Sequence, residues 1–488
     1  MVTYTKRSSH FGRRSVLAMT LALLFIGLLS GCSSTQFAYQ PCSSNVDCHD
    51  SFGFQYTCDT TGFCQQNEPF SRCVIPSPEP TTNDFLIGTL FDHTSESANV
   101  KAIDLAIEEI SSLGTIEGKA FAVVHCDYQE SDTIDTLTTQ EAVSQATRYL
   151  SEDLEVAAIV GPASSANSEI AFAVSSENDT LLISPSATAP KLSVIDGLEK
   201  NDESPGLFWR TVGSDEVQAA VLSAKLIEYG HSKVGLIYQS STYGEEFAMI
   251  VYSAFDEVGR VEPFAYKDLE EAQQAWQGIP EGTTAVVFIS SSIDDVIAFV
   301  NGAATLPQYQ NIQIFLADAA ADAQFLSQTN SDLDENIIGT RPALPSGSLF
   351  EAFHTQYNAF SGLDARTDFY AAYTYDAAWL LFYGVGWAHY HQDLVDGKAV
   401  ARGIRKLSNP LHDDISIGPS GWGVAMNYLK NNEEIDLRGV SGELNFDSYT
   451  EELFSPIEVW RIGDNRACFS IVEVCDQDGC ADISNSCE

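Results

Sequence analysis

From residue 85 to residue 316, the chain alternates short apolar runs with longer amphipathic stretches. In one such stretch Ile103, Ala106, Ile107 and Ile110 share one face of a helix at the spacing i, i+3, i+4, i+7. The apolar runs are too short for helices and predict strands buried on both faces. The predicted strands are residues 85–91, 121–125, 156–160, 181–183, 234–238, 285–289 and 312–316.

Alternating strands and helices predict an α/β fold with parallel sheets. One sheet built from this many units would be unusually wide, so we expect two α/β lobes. Ligands in such folds bind beyond the carboxyl ends of the strands, and the polar loops of this chain follow its strands. We also expect residues 459–462 to form the last strand of the fold.

The first residues have the pattern of a bacterial signal peptide. A basic segment, residues 6–14, precedes the apolar run 15–29, which is shorter than the about 20 residues that span a bilayer. The run ends in Leu-Ser-Gly-Cys, which resembles the lipobox of bacterial lipoproteins. The resemblance implies cleavage before Cys32 and a lipid anchor at the periplasmic face of the outer or the inner membrane. The alternative is an ordinary signal peptide with a cysteine there by chance.

Composition narrows the functional classes. The 488-residue chain carries 68 acidic and 25 basic residues and a formal net charge of −43 at pH 7. A nucleic-acid partner is not expected, because binding phosphates needs a basic face. The acidic surface fits an adaptation for solubility, and an acidic docking surface is the alternative.

Cysteines indicate an oxidising compartment. Besides Cys32 there are ten, an even number that predicts disulfides. The first four follow a C-x5-C-x9-C-x5-C pattern without the close pairs of a zinc site, so we expect two small-loop disulfides whose pairing stays open. Four more should staple the C-terminal tail, and we hypothesise a disulfide between Cys73 and Cys126. The candidates are Cys42, Cys48, Cys58, Cys64, Cys73, Cys126, Cys468, Cys475, Cys480 and Cys487.

Two small polar loops follow consecutive predicted strands. Residues 161–165, Gly-Pro-Ala-Ser-Ser, place hydroxyls at the start of a helix, where free N–H groups and the helix dipole favour a carboxylate. Plain N-capping by Ser164 or Ser165 explains the same hydroxyls equally well. Residues 184–190, Ser-Pro-Ser-Ala-Thr-Ala-Pro, are again small and polar, and turn chemistry alone is the alternative there.

The two loops begin a series of motifs that resembles the leucine/isoleucine/valine-binding family of periplasmic receptors. Four further motifs follow in family order, at residues 208–215, 240–244, 373–378 and 439–447. Each motif is weak alone, but their order across the chain is specific. The resemblance implies a type I periplasmic-binding-protein clamshell, with three crossover strands between two lobes and a ligand in the cleft.

The resemblance also implies roles for single residues. Ser165 matches a hydroxyl that contacts a ligand carboxylate, and Ser186 and Thr188 match a loop that holds an amino-acid head group. Tyr243 matches an aromatic side chain of lobe two that closes over the ligand, and Asp215 matches an acid at the hinge. The candidate ligand-binding residues are Ser164, Ser165, Ser186, Ala187, Thr188, Asp215, Tyr243, Ser291 and Asp318.

Two departures from the family pattern leave the ligand open. After strand 285–289 the family often has an aromatic residue, whereas this chain has Ser290, Ser291 and Ser292. After strand 312–316 the family often has a Glu for the ligand ammonium. Here Asp318 could hold an ammonium through a charge-assisted bond, although its side chain is shorter. The alternative is that Asp318 caps the helix that follows it.

Catalytic motifs are incomplete. Residues 418–422 have Trp where a nucleophile elbow needs Gly, and residues 384–386 lack the third Gly of a dinucleotide fingerprint. The nine histidines form no cluster with metal-ligand spacing. We therefore expect a binding protein and not an enzyme, without a cofactor or a metal.

The predicted function is a lipid-anchored receptor that delivers an amino acid or a similar small carboxylate to an ABC transporter permease. The alternative is a ligand-sensing or regulatory lipoprotein of the cell envelope that uses the same fold for protein interaction. The predicted segments are a signal peptide (1–31), a Cys-rich N-terminal module (32–75), a Pro-rich linker (76–83), lobe one (84–208 and 341–440), lobe two (209–340 and 441–465) and a Cys-rich C-terminal tail (466–488).

Overall fold

The computed structural model describes residues 40–131, 134–255, 259–345 and 347–485, with side chains as far as residue 483. The chain divides into two units, which meet in sequence between Asn67 and Glu68. The predicted signal peptide, Cys32 and Cys487 lie outside the described residues. No helix within those described ranges is long and apolar enough to cross a membrane.

The helices are α1 (Asn45–Phe52), α2 (Ser97–Leu113), α3 (Thr139–Arg148), α4 (Ser165–Ser175), α5 (Asp215–Glu228), α6 (Thr242–Phe255), α7 (Leu269–Gln277), α8 (Ile293–Ala304), α9 (Ala323–Gln328), α10 (Ser348–Ser361), α11 (Tyr370–His391), α12 (Gly397–Ile404) and α13 (Pro419–Lys430). The strands are β1 (Tyr56–Cys58), β2 (Cys64–Gln66), β3 (Cys73–Val74), β4 (Phe85–Phe91), β5 (Phe121–Asp127), β6 (Ala158–Val160), β7 (Leu181–Ser184), β8 (Phe208–Arg210), β9 (Lys233–Gln239), β10 (Arg260–Tyr266), β11 (Ala285–Ile289), β12 (Gln313–Leu316), β13 (Ile337–Pro342), β14 (Asp414–Ser416), β15 (Asp436–Arg438), β16 (Ile457–Ile462), β17 (Phe469–Asp476) and β18 (Gly479–Asn485).

The N-terminal unit consists of helix α1 and the antiparallel pair of β1 and β2. Disulfides join Cys42 to Cys58 and Cys48 to Cys64, so the two predicted bonds are confirmed. Each bond links cysteines 16 residues apart, and the two bonds interleave along the chain. Because the segment has few apolar residues to bury, these cross-links take the place of a hydrophobic core.

Lobe one is built on a six-stranded sheet in the order β3-β5-β4-β6-β7-β8. Every pairing in it is parallel except that of β3 with β5. All seven residues of β4 are buried, as expected of a strand covered on both faces. Helix α11 is apolar on all sides and is buried from Ala371 to Ala388, so it forms much of the core of this lobe.

Lobe two is built on an eight-stranded sheet in the order β10-β9-β11-β12-β13-β16-β17-β18. Strands β9 to β13 pair in parallel, and β16, β17 and β18 continue the sheet in antiparallel fashion. Aromatic side chains pack its core, with the rings of Phe288 and Phe299 stacked 4.3 Å apart. The two-lobed α/β fold is therefore confirmed.

The prediction that residues 459–462 form the last strand is wrong. Strands β17 and β18 follow it and extend the sheet of lobe two, and a disulfide joins Cys475 to Cys480 across them. Cys468 is also disulfide-bonded. Strand β17 is buried only at intervals, so it lacks the continuous apolar run that revealed the parallel strands.

The hypothesised disulfide between Cys73 and Cys126 is present. It joins β3 to β5, where Cys73 and Cys126 are also backbone partners. Residues 73–74 thus belong to the sheet of lobe one. The predicted Cys-rich module of residues 32–75 accordingly needs correction, because the N-terminal unit ends at Asn67 and the chain already joins the main body before the Pro-rich segment.

Two of the sequence motifs meet inside lobe one. The buried carboxylate of Asp376, on α11, accepts hydrogen bonds from the amides of Val440 and Ser441 at 2.9 and 2.7 Å. The hydroxyl of Ser441 donates a third bond at 2.6 Å. Burial raises the pKa of Asp376 to about 7, although these donors act to lower it. Asp376 therefore fixes the loop at residues 439–442 from within the core.

Candidate functional site

The carboxyl ends of the parallel strands in lobe one lie at the same edge of the sheet, and the two small polar loops occupy that edge. Gly161, after β6, has a φ of 95°, and a Cβ there would lie 2.4 Å from the carbonyl oxygen of Leu90. Only glycine fits such a close approach of two backbones. The turn therefore leads directly from β6 to the first turn of α4.

The hydroxyls of these loops mostly bind the loops themselves. Ser164 caps α4, accepting a bond from the amide of Asn167 at 3.3 Å, so the N-capping alternative holds for this residue. The Ser165 hydroxyl accepts a bond from the amide of Ala189 at 3.1 Å, and the Ser186 hydroxyl donates to the carbonyl of Ala163 at 3.0 Å. These bonds lock the two loops together at the edge of the sheet.

Arg210, at the end of β8, braces the second loop from inside lobe one. Its guanidinium is fully buried and donates to the carbonyls of Ala187 and Ala189, at 3.2 Å each. The charge is paired with Glu452, with the Nη2 nitrogen 2.7 Å from Oε2. Since Ala187 and Ala189 flank Thr188, Arg210 sets the position from which the Thr188 side chain leaves the loop.

Asp215 begins α5, the first helix of lobe two, and lies against this loop. Its amide donates to the carbonyl of Thr188 at 2.9 Å, and only 1% of the residue is exposed. Neither carboxylate oxygen of Asp215 has a hydrogen-bond partner among the described residues, and neither does the Thr188 hydroxyl oxygen. That hydroxyl is near enough to favour the ionised carboxylate without reaching hydrogen-bond geometry.

The pKa of the Asp215 carboxyl lies well above its ordinary value. Burial is the main cause, and the negative charge of Asp318 adds to it, while Thr188 and Arg210 act in the opposite direction. An ammonium group placed between Asp215 and Asp318 would offset the cost of burying the Asp215 carboxylate and its repulsion by Asp318, because it would supply both a hydrogen-bond donor and a positive charge. The pair is therefore suited to a cationic partner.

Asp318 lies at the carboxyl end of β12 and is held by two tyrosines. The hydroxyls of Tyr243 and Tyr370 donate to its Oδ1 and Oδ2 respectively, the second at 2.5 Å. Burial, and then the charge of Asp318, raise the pKa of both phenols, so both remain protonated donors. The alternative that Asp318 caps the following helix is wrong: it is the first residue of a short 3-10 turn, and its side chain bonds to the tyrosines.

Two residues of this network were absent from the sequence prediction. Gln218 donates from Nε2 to the carbonyl of Thr340 at 3.2 Å and approaches Asp318 at 3.4 Å, and Tyr370 holds the other oxygen of Asp318. Gln218 lies three positions after Asp215 on α5, so a helical spacing could have revealed it. Tyr370 is three positions before Tyr373 on α11, which is the corresponding signal there.

One predicted residue lies apart from the network. Ser291 is exposed, and its amide and hydroxyl both donate to the side-chain oxygen of Gln239, at 3.3 and 2.8 Å. These bonds join the ends of β9 and β11 at the surface of lobe two. The described contacts therefore bring together Thr188, Asp215, Tyr243 and Asp318, but they do not include Ser291.

The two lobes touch across the cleft beside this network. The Thr242 hydroxyl, on α6, donates to the carboxylate of Glu169 on α4 at 2.8 Å. The amide of Lys191, in lobe one, donates to the carboxylate of Glu246 on α6 at 2.7 Å. These bonds join the two lobes, and the acidic network of lobe two lies against the polar loops of lobe one.

Comparisons with known proteins agree with this two-lobed α/β arrangement. The model of the family described as the receptor family ligand binding region matches residues 99–460, well over half of the chain. The chain belongs to this family. A segment of 156 residues is 25% identical to the leucine-, isoleucine-, valine-, threonine-, and alanine-binding protein of Pseudomonas aeruginosa. That segment is 32% of this chain and spans only 37% of the length of the relative.

Solved structures show the same fold. A branched-chain amino acid transporter substrate binding protein from Streptococcus pneumoniae, solved in complex with isoleucine, superimposes with a TM-score of 0.58 at 20% identity. The match covers 80% of this chain and 99% of that one. A solute binding protein of an ABC transporter from R. palustris, in complex with benzoate, gives a TM-score of 0.59 at 15% identity and covers 83% and 98%. The type I periplasmic-binding-protein fold is confirmed.

Proposed function

We propose that the chain is a lipid-anchored, extracytoplasmic receptor that closes around an amino acid and delivers it to an ABC transporter. The observation that carries the proposal is the pair of unpartnered carboxylate oxygens on Asp215, buried beside the unpartnered hydroxyl oxygen of Thr188. Buried polar groups in native proteins are normally hydrogen-bonded, so partners missing from the protein point to a ligand. The relatives and structures named above, which bind amino acids or benzoate, support the small-molecule class.

The two sides of the cleft suit the two charges of an amino-acid head group. The ammonium would lie between Asp215 and Asp318, where the Thr188 hydroxyl is also at hand. The carboxylate would lie at the start of α4, since the first amides of a helix have no partner within it and form the positive end of its dipole. A carboxylate ligand that lacks an ammonium group would leave the Asp215 carboxylate buried and unpaired, which is unfavourable.

Attachment to the membrane rests on the sequence. The basic segment 6–14, the apolar run 15–29 and the lipobox-like end at Cys32 support export followed by lipidation. Acyl chains on a cysteine hold a protein at a membrane with about 0.8 kcal/mol per buried methylene. Metabolic labelling with a fatty acid should label the natural chain, whereas the Cys32→Ser chain should remain unlabelled.

A thermal-shift screen of the purified mature protein tests the ligand class. Binding to the folded state alone stabilises it by about 2.7 kcal/mol at a ligand concentration 100 times Kd. We expect amino acids to raise Tm and matched 2-hydroxy acids, which lack the ammonium, to leave it unchanged. Equal shifts with both would show that the ammonium is not recognised.

Variants locate the site in the same assay. Thr188→Val and Asp215→Asn should reduce the shift sharply, while Glu270→Gln, which removes an exposed carboxylate elsewhere on lobe two, should retain it in full. Absence of a thermal shift with every member of a broad amino-acid library would contradict the transport role. That result would favour the regulatory lipoprotein of the cell envelope, which pull-down from envelope extracts would then test.

A further inference from the structure

The edge of lobe one continues beyond the two hydroxyl loops. In the sheet, β7 is followed by β6, then β4, then β5, so the loop after β4 lies two strands away from the loop that carries Thr188. Neighbouring strands are about 4.8 Å apart, which places the two loops about 10 Å apart along the edge. Residues 92–96 therefore lie within reach of a long side chain on a ligand whose head group is held between α4 and Thr188.

Glu96 is the central side chain of this second region. Its Oε2 accepts bonds from the amide of Asp92 at 2.8 Å and from the hydroxyl of Tyr128, which follows β5, at 2.5 Å. The Tyr128 hydroxyl also contacts the side chain of Asn167, in the first turn of α4. One chain of contacts thus links Glu96 to the helix end assigned to the ligand carboxylate.

The surroundings of Glu96 are negative. The negative charges of Asp92 and Asp127 act on its carboxyl group, and no Lys or Arg pairs with it within the described part of the chain. Burial, aided by these two acids, raises the pKa of Glu96 to about 7. His93 lies in the same loop, and its buried Nε2 has no hydrogen-bond partner in that part of the chain. Burial lowers the pKa of His93, so it does not supply the missing positive charge.

We propose that Glu96, with Tyr128 beside it, forms a distal subsite for a second cationic group, so that the ligand is an amino acid with a basic side chain. The inference rests on the proposed function and deepens it. The unpartnered, 99% buried Asp215 carboxylate and the Thr188 hydroxyl indicate independently that the same cleft takes a ligand. A four-carbon side chain ending in an ammonium, as in lysine, suits the span between the two regions.

An apolar side chain is a poor fit for this subsite. It would displace water from the Glu96 carboxylate without offering a hydrogen bond in return, and burying an unpaired charge is costly. An ammonium would replace that water with a charge-assisted bond. Glu96 therefore acts as a specificity-determining residue that favours a basic side chain over an aliphatic one.

Calorimetric titration of the mature protein with L-lysine and L-norleucine tests the inference, since norleucine has the same four-carbon stem without the terminal ammonium. Lysine should bind about tenfold more tightly or better, as loss of one charge-assisted bond predicts. Glu96→Gln should weaken lysine about tenfold or more and change norleucine by less than about threefold. Glu130→Gln, which removes an exposed carboxylate nearby, should change neither.

Tyr128→Phe keeps the ring and removes only the hydroxyl, so it provides a second variant should Glu96→Gln fail to fold. It should weaken lysine several-fold and spare norleucine. Norleucine or leucine binding as tightly as lysine would overturn the distal subsite and leave the proposed function standing. Absence of binding by every amino acid would overturn both.

Discussion

The two sides of the cleft are polar in different ways. In lobe one the hydroxyls of Ser164, Ser165 and Ser186 form hydrogen bonds with the backbone of the two polar loops and of the helix start. In lobe two Asp215 is buried with both oxygens unpartnered, and Asp318 faces it across the network. Lobe one thus supplies a rigid frame and lobe two an unbalanced charge. The contrast predicts that changes to the bonds that hold the loops of lobe one alter folding first, whereas changes to the buried acids of lobe two alter binding first.

The largest effect on stability should come from replacing Arg210, which braces the second polar loop of lobe one. Arg210→Met removes the donors to Ala187 and Ala189 and leaves Glu452 without its partner. Breaking a buried ion pair on one side costs about 3–5 kcal/mol, so the free energy of unfolding should fall by that amount and binding should be lost. Urea denaturation followed by tryptophan fluorescence measures the change.

A matched control for Arg210→Met lies on the surface. Arg366→Met removes an ion pair with Glu351 in which both side chains are about half exposed. Exposed pairs contribute about 0–1 kcal/mol, so this variant should unfold close to the wild-type midpoint. Equal losses in the two variants would show that Arg210 does not brace the loop.

The second-largest effect concerns Asp215 of lobe two. Its replacement should raise the stability of the unliganded protein, whereas Arg210→Met should lower it. Asp215→Asn should weaken amino-acid binding by about 1.5–3 kcal/mol, or roughly 10- to 150-fold, because a bond to a charged group is lost. The unliganded variant should melt above wild type at pH 8, since the folded chain no longer holds an unpaired buried carboxylate.

Asp376→Asn is the comparison for that variant, because the Asp376 carboxylate has three donors. An amide cannot accept all of them, so this variant should melt below wild type. Differential scanning calorimetry of both variants, with and without ligand, measures the two signs. Destabilisation of the unliganded protein by Asp215→Asn would contradict an unpaired acid in the cleft.

A contrast between local and long-range features explains how far the sequence could be interpreted. The parallel strands and the order of the motifs were visible because continuous apolar runs and loop residues are local features. Strand β17 was missed because its buried residues are spaced by half-exposed ones. The role of Asp318 was left between two alternatives because the donors that decide it, Tyr243 and Tyr370, come from distant parts of the chain.

The third prediction concerns pH. Burial raises the pKa of Asp368 and of Asp376 to about 7, above the value each has in the unfolded chain. Such a group keeps its proton longer in the folded state, so its contribution is present at acid pH and is lost as pH rises through about 7. Tm of the unliganded protein should therefore fall by about 3 °C or more between pH 5 and pH 8.

Asp135 provides the contrast within this experiment. The Arg72 guanidinium beside it lowers the pKa of Asp135 to about 2, so its charge does not change between pH 5 and pH 8. Its contribution would be lost only as pH falls through about 2. Asp376→Asn should flatten the dependence of Tm on pH, and Asp135→Asn should not. A Tm that rises steadily from pH 5 to pH 8 would contradict the prediction.

The smallest effects separate two serines that the sequence placed in one site. Ser164→Ala removes the cap of α4 and should lower the free energy of unfolding by about 1 kcal/mol, whereas Ser291→Ala, at an exposed position, should change it by less than about 0.5 kcal/mol. Because the proposed site places the ligand carboxylate at the start of α4, Ser164→Ala should also weaken binding a few-fold, and Ser291→Ala should leave it unchanged. Urea unfolding and ligand titration of both variants measure this difference. A larger loss of affinity in Ser291→Ala would bring the end of β11 into the ligand site and would extend the recognition surface of lobe two beyond its acidic network.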